Sequence, residues 1–83
     1  IKMKKEDAIS LMDEDGCRLG ELSEDLRKDR EVVMAAVQNC GAALEHAHKT
    51  LQEDEEIVSV AVSNDGAAMQ FASSSIQNNK DFV

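Results

Sequence analysis

The chain is expected to be all-α, built from short helices stacked in tandem, and three observations predict it. Gly16, Gly41 and Gly66 recur at intervals of 25 residues. The segment 29–53 aligns with 54–78 without a gap, and 11 of the 25 pairs are identical: Asp29/Asp54, Glu31/Glu56, Val33/Val58, Ala36/Ala61, Val37/Val62, Asn39/Asn64, Gly41/Gly66, Ala42/Ala67, Ala43/Ala68, Ala47/Ala72 and Gln52/Gln77. Within each unit the apolar residues follow helical spacing and never alternate in the two-residue period of a strand. A fixed period of this length marks stacked supersecondary units, each too small to bury its own apolar face.

Each unit reads as a hairpin of two short helices, giving six helices in three antiparallel hairpins, arranged as a small α-solenoid or a compact bundle. In the middle unit Val32, Val33, Ala36, Val37 and Cys40 fall on one stripe at about 100° per residue. After Gly41 the stripe restarts as Ala43, Leu44, Ala47 and Leu51. The third unit repeats both sets, with Ile57, Val58, Ala61 and Val62, then Ala68, Met69, Ala72 and Ile76. Asp29, Asp54 and Asn79 stand where N-caps are needed, and Glu31 and Glu56 add negative charge near the positive end of the helix dipole. Asn39-Cys40-Gly41 and Asn64-Asp65-Gly66 end the first helices, with glycine expected in the left-handed conformation of a C-terminal cap. Helices of about ten residues do not hold alone in water, so stability is expected from packing one hairpin on the next.

The first unit, 4–28, is degenerate but keeps Ala8, Leu11, Met12, Leu19, Leu22 and Leu26 in the apolar positions, as terminal units of arrays do. At the other end, residues 79–83 restart the repeat, with Phe82 and Val83 where Ile57 and Val58 stand. The chain is therefore expected to be one helical-repeat domain over 1–83, cut from a longer array.

Composition narrows the function. The 83 residues carry a net charge of −8, with 17 acidic and 9 basic side chains. Lys4, Lys5, Arg27, Lys28 and Arg30 lie among acids instead of forming a basic stripe, which disfavours nucleic acid and anionic membrane as partners. Nothing approaches the roughly 20 apolar residues of a spanning helix. Cys17 and Cys40 match no zinc or disulfide spacing, and are expected as two reduced core thiols of an intracellular, cytoplasmic protein.

The pattern D-x-E-[VI]-V-x-x-A-V-x-N-x-G-A-A-[LM]-x-x-A-x-x-x-[LI], read from Asp29 to Leu51 and again from Asp54 to Ile76, resembles the tandem repeats of the domain of unknown function 4116 family. The resemblance covers about 50 residues well and the first 28 loosely. It implies tandem helical hairpins with no assigned activity, so no functional residue is carried over. The first unit departs from the pattern, with Asp7 at the first valine position and Arg18 at an alanine position.

No motif carries catalytic chemistry. Setting Gly16 at the sixth position of a calcium loop puts Leu11 and Leu22 where ligands belong, and neither side chain can ligate. His46 and His48 are two apart and point to opposite sides of a helix, unable to share one metal ion. There is no nucleophile elbow, P-loop or dinucleotide fingerprint. The chain is read as non-enzymatic and without a cofactor.

One feature suggests a partner surface. Glu21, His46 and Phe71 occupy one repeat position, and Ser23, His48 and Ser73 another. Equivalent positions of stacked repeats line up, and variable ladders on a constant core are where such proteins bind. The leading expectation is a protein-interaction or spacer module within a larger protein. Structural self-association is the alternative, and an accessory domain of an enzyme elsewhere in the parent chain is the third.

Overall fold

A computed structural model describes residues 4–73 and Ile76. Among these the regular structure is entirely helical: α1 (Lys5–Asp15), a 3-10 helix (Gly16–Glu21), α2 (Glu24–Arg27), α3 (Arg30–Asn39), a second 3-10 helix (Gly41–His46), α4 (Lys49–Gln52), α5 (Glu55–Asn64) and a third 3-10 helix (Gly66–Phe71). The series α-helix, 3-10 helix, short α-helix occurs twice at an interval of 25 residues, and its first two elements return a third time, as the glycine period does. The restart at 79–83, with Asn79 as its cap, lies outside the described residues.

The first helix of each unit forms as its residues dictate. Asp29 Oδ1 accepts from the amides of Glu31 (2.9 Å) and Val32 (3.4 Å) at the start of α3. Asp54 Oδ1 does the same for Glu56 (3.0 Å) and Ile57 (3.2 Å) at α5. These are two of the amides that a helix leaves unpaired at its start. The expected stripe is the buried one: Val32, Val33, Ala36 and Val37 on α3, and Ile57, Val58 and Ala61 on α5. α1 packs on α3 and α3 on α5, while the first 3-10 helix packs on the second and the second on the third.

The second half of each unit differs from the expected single helix. It is a 3-10 helix, followed in the first two units by a four-residue α-turn, and the buried residues explain the choice. A 3-10 helix has three residues per turn, so positions three apart lie above one another. Gly16, Leu19 and Leu22 are all buried, as are Gly41, Leu44 and Ala47. Each run ends with a backbone bond back three residues, Leu22 N–H to Leu19 O (3.0 Å), Ala47 N–H to Leu44 O (3.1 Å) and Ala72 N–H to Met69 O (3.1 Å). Ala43, Leu44, Ala47 and Leu51 do line the core, but on a narrower winding than the α-helical pattern predicts.

The glycines also serve another purpose than the expected one. No described residue has a positive φ, and Gly16 sits at φ −64°, ψ −23°, ordinary right-handed helical backbone. What requires glycine is the neighbouring unit. A Cβ on Gly16 would overlap the Ala36 carbonyl oxygen and lie 2.9 Å from its carbonyl carbon. A Cβ on Gly41 would overlap the Ala61 carbonyl oxygen and lie 2.9 Å from Asp65 Cβ. The third glycine, Gly66, has no atom of the described residues within 4 Å of the same point.

Polar contacts set the register across both joints. Asn39 Oδ1 accepts from Gly16 N–H (2.7 Å), and its Nδ2 donates to Asp13 O (3.1 Å). Asn64 repeats the pair on Gly41 N–H (2.7 Å) and Gln38 O (3.1 Å). Ion pairs follow the same frame, Lys5 with Asp29 (3.4 Å) and Glu31 (3.0 Å), Arg30 with Asp54 (3.0 Å) and Glu56 (3.1 Å). Backbone bonds from His48 N–H to Arg27 O and from Ser73 N–H to Gln52 O, both 3.1 Å, close the opposite edge.

The two cysteines are bonded to each other. Cys17 and Cys40 form a disulfide with Cα atoms 5.4 Å apart, and no described cysteine is free. The expectation of two reduced thiols is therefore overturned, and the argument from them to an intracellular, cytoplasmic site loses its footing. The spacing that brings the sulfurs together is 23 residues, the same as in the Gly16–Asn39 and Gly41–Asn64 bonds. Stacking places positions 23 apart face to face.

Candidate functional site

The two variable columns occupy different kinds of place. Glu21, His46 and Phe71 are each the last residue of a 3-10 helix, and these helices pack side by side. Glu21 is exposed and takes a bidentate contact from Arg18, with both bonds 3.2 Å. The hydrogen bond and charge of Arg18 hold the Glu21 carboxyl below its ordinary pKa, so it stays ionised. His46 is half-buried and lies against Gly20, where a Cβ would come 2.8 Å from Nδ1. Phe71 is half-buried and packs on the core. The column thus presents an acid, an imidazole and an aromatic ring at equivalent points.

Ser23, His48 and Ser73 do scaffold work instead. Ser23 and His48 stand at the N-cap positions of α2 and α4. His48 Nδ1 accepts from Thr50 N–H at 3.2 Å and lies 3.0 Å from Thr50 Oγ1, which fixes this ring nitrogen as an acceptor toward the amide. His48 and Ser73 also supply the amides that bond to the preceding unit. The Oγ of Ser73 is buried without a hydrogen-bond partner. His46 and His48 accordingly have separate roles, one beside a cavity and one capping a helix.

A cavity of about 120 Å³ lies between the first two units, lined by Cys17, Cys40, Ala42, Ala43, Glu45 and His46. Glu45 Oε1 is 3.9 Å from His46 Nε2. Among the described residues no group of three or more His, Cys, Asp or Glu is arranged to hold a metal ion, and no helix is long and apolar enough to cross a membrane. The acidic run Asp13, Glu14, Asp15 is exposed at the end of α1, and the Asp13 carbonyl is taken by Asn39.

A family model described as Domain of unknown function (DUF4116) matches residues 4–52 and 54–83. The chain belongs to this family. Together the two matches cover nearly the whole chain, and the first includes the degenerate unit that departs from the repeat pattern. Neither a curated protein nor a solved structure matches.

Sequence reasoning found the repeat frame of this DUF4116 chain but missed the residues that join its units. Asn39 and Asn64 looked like helix-ending punctuation, whereas their side chains clamp the next unit back. Cys17 and Cys40 looked unrelated because no local motif connects them. The signal was present in the offset of 23, visible only once one cross-unit contact is known.

Proposed function

We propose that this DUF4116 chain is a non-enzymatic helical-repeat module, a short α-solenoid that contacts a protein partner within a larger polypeptide. The observation that carries the reading is the column Glu21, His46 and Phe71. Residues of one structural rank, at the ends of three adjacent 3-10 helices, carry unlike side chains on a frame whose joining contacts repeat. Constant joints with a variable edge are the arrangement by which repeat proteins recognise partners. His48 and Ser73 drop out of the contact surface because their amides bond to the preceding unit and the His48 ring caps α4, and Ser23 holds the N-cap position of α2.

The surface chemistry favours a partner with basic or apolar-basic character. The chain carries −8, and two such surfaces repel each other, which argues against self-association. The test is a display selection of peptides against the intact chain, followed by titration of the selected peptides with E21A, H46A and F71A variants. Loss of binding for at least His46→Ala and Phe71→Ala, with S23A unaffected, supports the ladder. Peptides that bind all three ladder variants as well as the parent chain remove it.

A further inference from the structure

The joint between the first and second units is built differently from the next one. At positions 17 and 40 the first joint carries the disulfide, while the equivalent positions of the second joint hold Ala42 and Asp65. Asp65 caps its own 3-10 helix by accepting from Ala67 N–H at 3.0 Å. Cys40, at the same place in the second unit, makes no side-chain cap. The second joint closes without sulfur, by apolar packing, the asparagine clamp, ion pairs and the Ser73 N–H to Gln52 O bond, so the fold does not need a disulfide at this position.

The first unit also lacks one internal tie that the second has. Gln52 Nε2 donates to the carbonyls of Leu44 (3.0 Å) and Glu45 (3.3 Å), fastening α4 to its 3-10 helix. Its equivalent in the first unit is Arg27, whose Nε is buried without a partner. Arg18 stands where Ala43 and Ala68 enter the core. Against this, Cys17 is an exposed residue, and both sulfur-bearing residues line the cavity between the units.

We propose that the Cys17–Cys40 disulfide is a reversible modification site: a redox clamp that holds the first unit on the second and loosens it on reduction by a dithiol. A thiolate of the dithiol attacks Sγ of Cys17, the exposed residue of the pair. The S–S bond breaks, and Cys40 leaves as a thiolate that takes a proton from water. The second thiol of the reductant then attacks the mixed disulfide, freeing Cys17 and leaving the dithiol oxidised by two electrons. The clamp does not depend on the partner ladder.

The first unit keeps its asparagine clamp and its Lys5 ion pairs after reduction, so it is loosened, not discarded. A cross-link across this separation stabilises the linked segments by a factor of roughly three hundred in the chain-entropy picture. The test is amide hydrogen exchange on the whole chain, oxidised and then treated with a dithiol. The expected result is exchange faster by up to about three hundredfold in α1 and the first 3-10 helix, with α5 changed less than about threefold, reversed on reoxidation. The C17S/C40S double variant is expected to show the reduced pattern with or without reductant. Equal loss of protection along the entire chain, no change on reduction, free thiols in the air-oxidised protein, or disulfides formed between chains would each overturn the proposal.

Discussion

Replacing a glycine with alanine is ordinarily a mild change, and in this protein it separates two explanations of the 25-residue period. Gly41 has its missing Cβ directed at the Ala61 carbonyl and at Asp65, which are backbone or short side-chain atoms that cannot swing aside. In Gly41→Ala the second and third units must therefore part. Parting stretches the 2.7 Å bond from Gly41 N–H to Asn64 Oδ1. Overpacking of this kind costs about 1–3 kcal/mol, and a buried amide left unpaired costs about 1–3 kcal/mol more. The expected loss of about 2–6 kcal/mol is a large share of the total, since 83 residues correspond to about 4–12 kcal/mol of stability. Gly66 provides the control, because it has the same local sequence and open space where the Cβ would go. There the substitution only restricts the unfolded chain, a gain of about 0.4–1 kcal/mol. Urea unfolding followed by far-UV circular dichroism measures both, and heat gives the same order, with a fall of about 10 °C or more for Gly41→Ala. If the two variants unfold alike, or if Gly41→Ala is the more stable, then the glycines are local helix enders and the close-approach account fails.

Further expectations follow from the same contacts. Asn64→Ala removes an acceptor from Gly41 N–H and a donor to Gln38 O, and is expected to cost about 1–3 kcal/mol in urea unfolding; Asn64→Asp restores the acceptor only and should recover part of that loss. Arg27→Met removes a buried nitrogen that has no partner while keeping the aliphatic stem, and should leave stability unchanged or raise it by about 1 kcal/mol in the same assay. The Asp54 carboxyl is pushed up by burial, but the Arg30 guanidinium and the Ile57 and Glu56 amides outweigh that and hold it below its ordinary pKa. A folded-state pKa lowered in this way contributes stability that is complete above the ordinary value and is lost as pH falls through the lowered one. Asp54→Asn should therefore flatten the acid limb of a urea-midpoint profile between about pH 5 and pH 1, and a limb of unchanged slope would remove Asp54 from the account.

How much was legible can be argued from particular residues. The stripe on α3 was visible because Val32, Val33, Ala36 and Val37 meet one another through spacings of one, three and four, contacts within a single helix. Asp29 and Asp54 were visible as caps because a capping oxygen reaches only two or three residues ahead. The 3-10 helices were half visible. Leu19 and Leu22, or Leu44 and Ala47, fit windings of three and of three point six almost equally over six residues, and burial of Gly16 and Gly41 selects the tighter one. The equivalence of Glu21, His46 and Phe71 was visible from the 25-residue frame, but only the structure distinguishes that column from His48 and Ser73, whose amides bond to the preceding unit.

The amino-acid order alone determined the helical class, the 25-residue period and the start of each first helix, because these rest on contacts within a few positions of one another. Tertiary structure decided what the glycines are for, which carbonyls the asparagines clamp, and that Cys17 meets Cys40. Each of those depends on how far one unit is shifted against the next. That shift comes from packing two surfaces together, and no stretch of sequence shorter than a whole unit contains both.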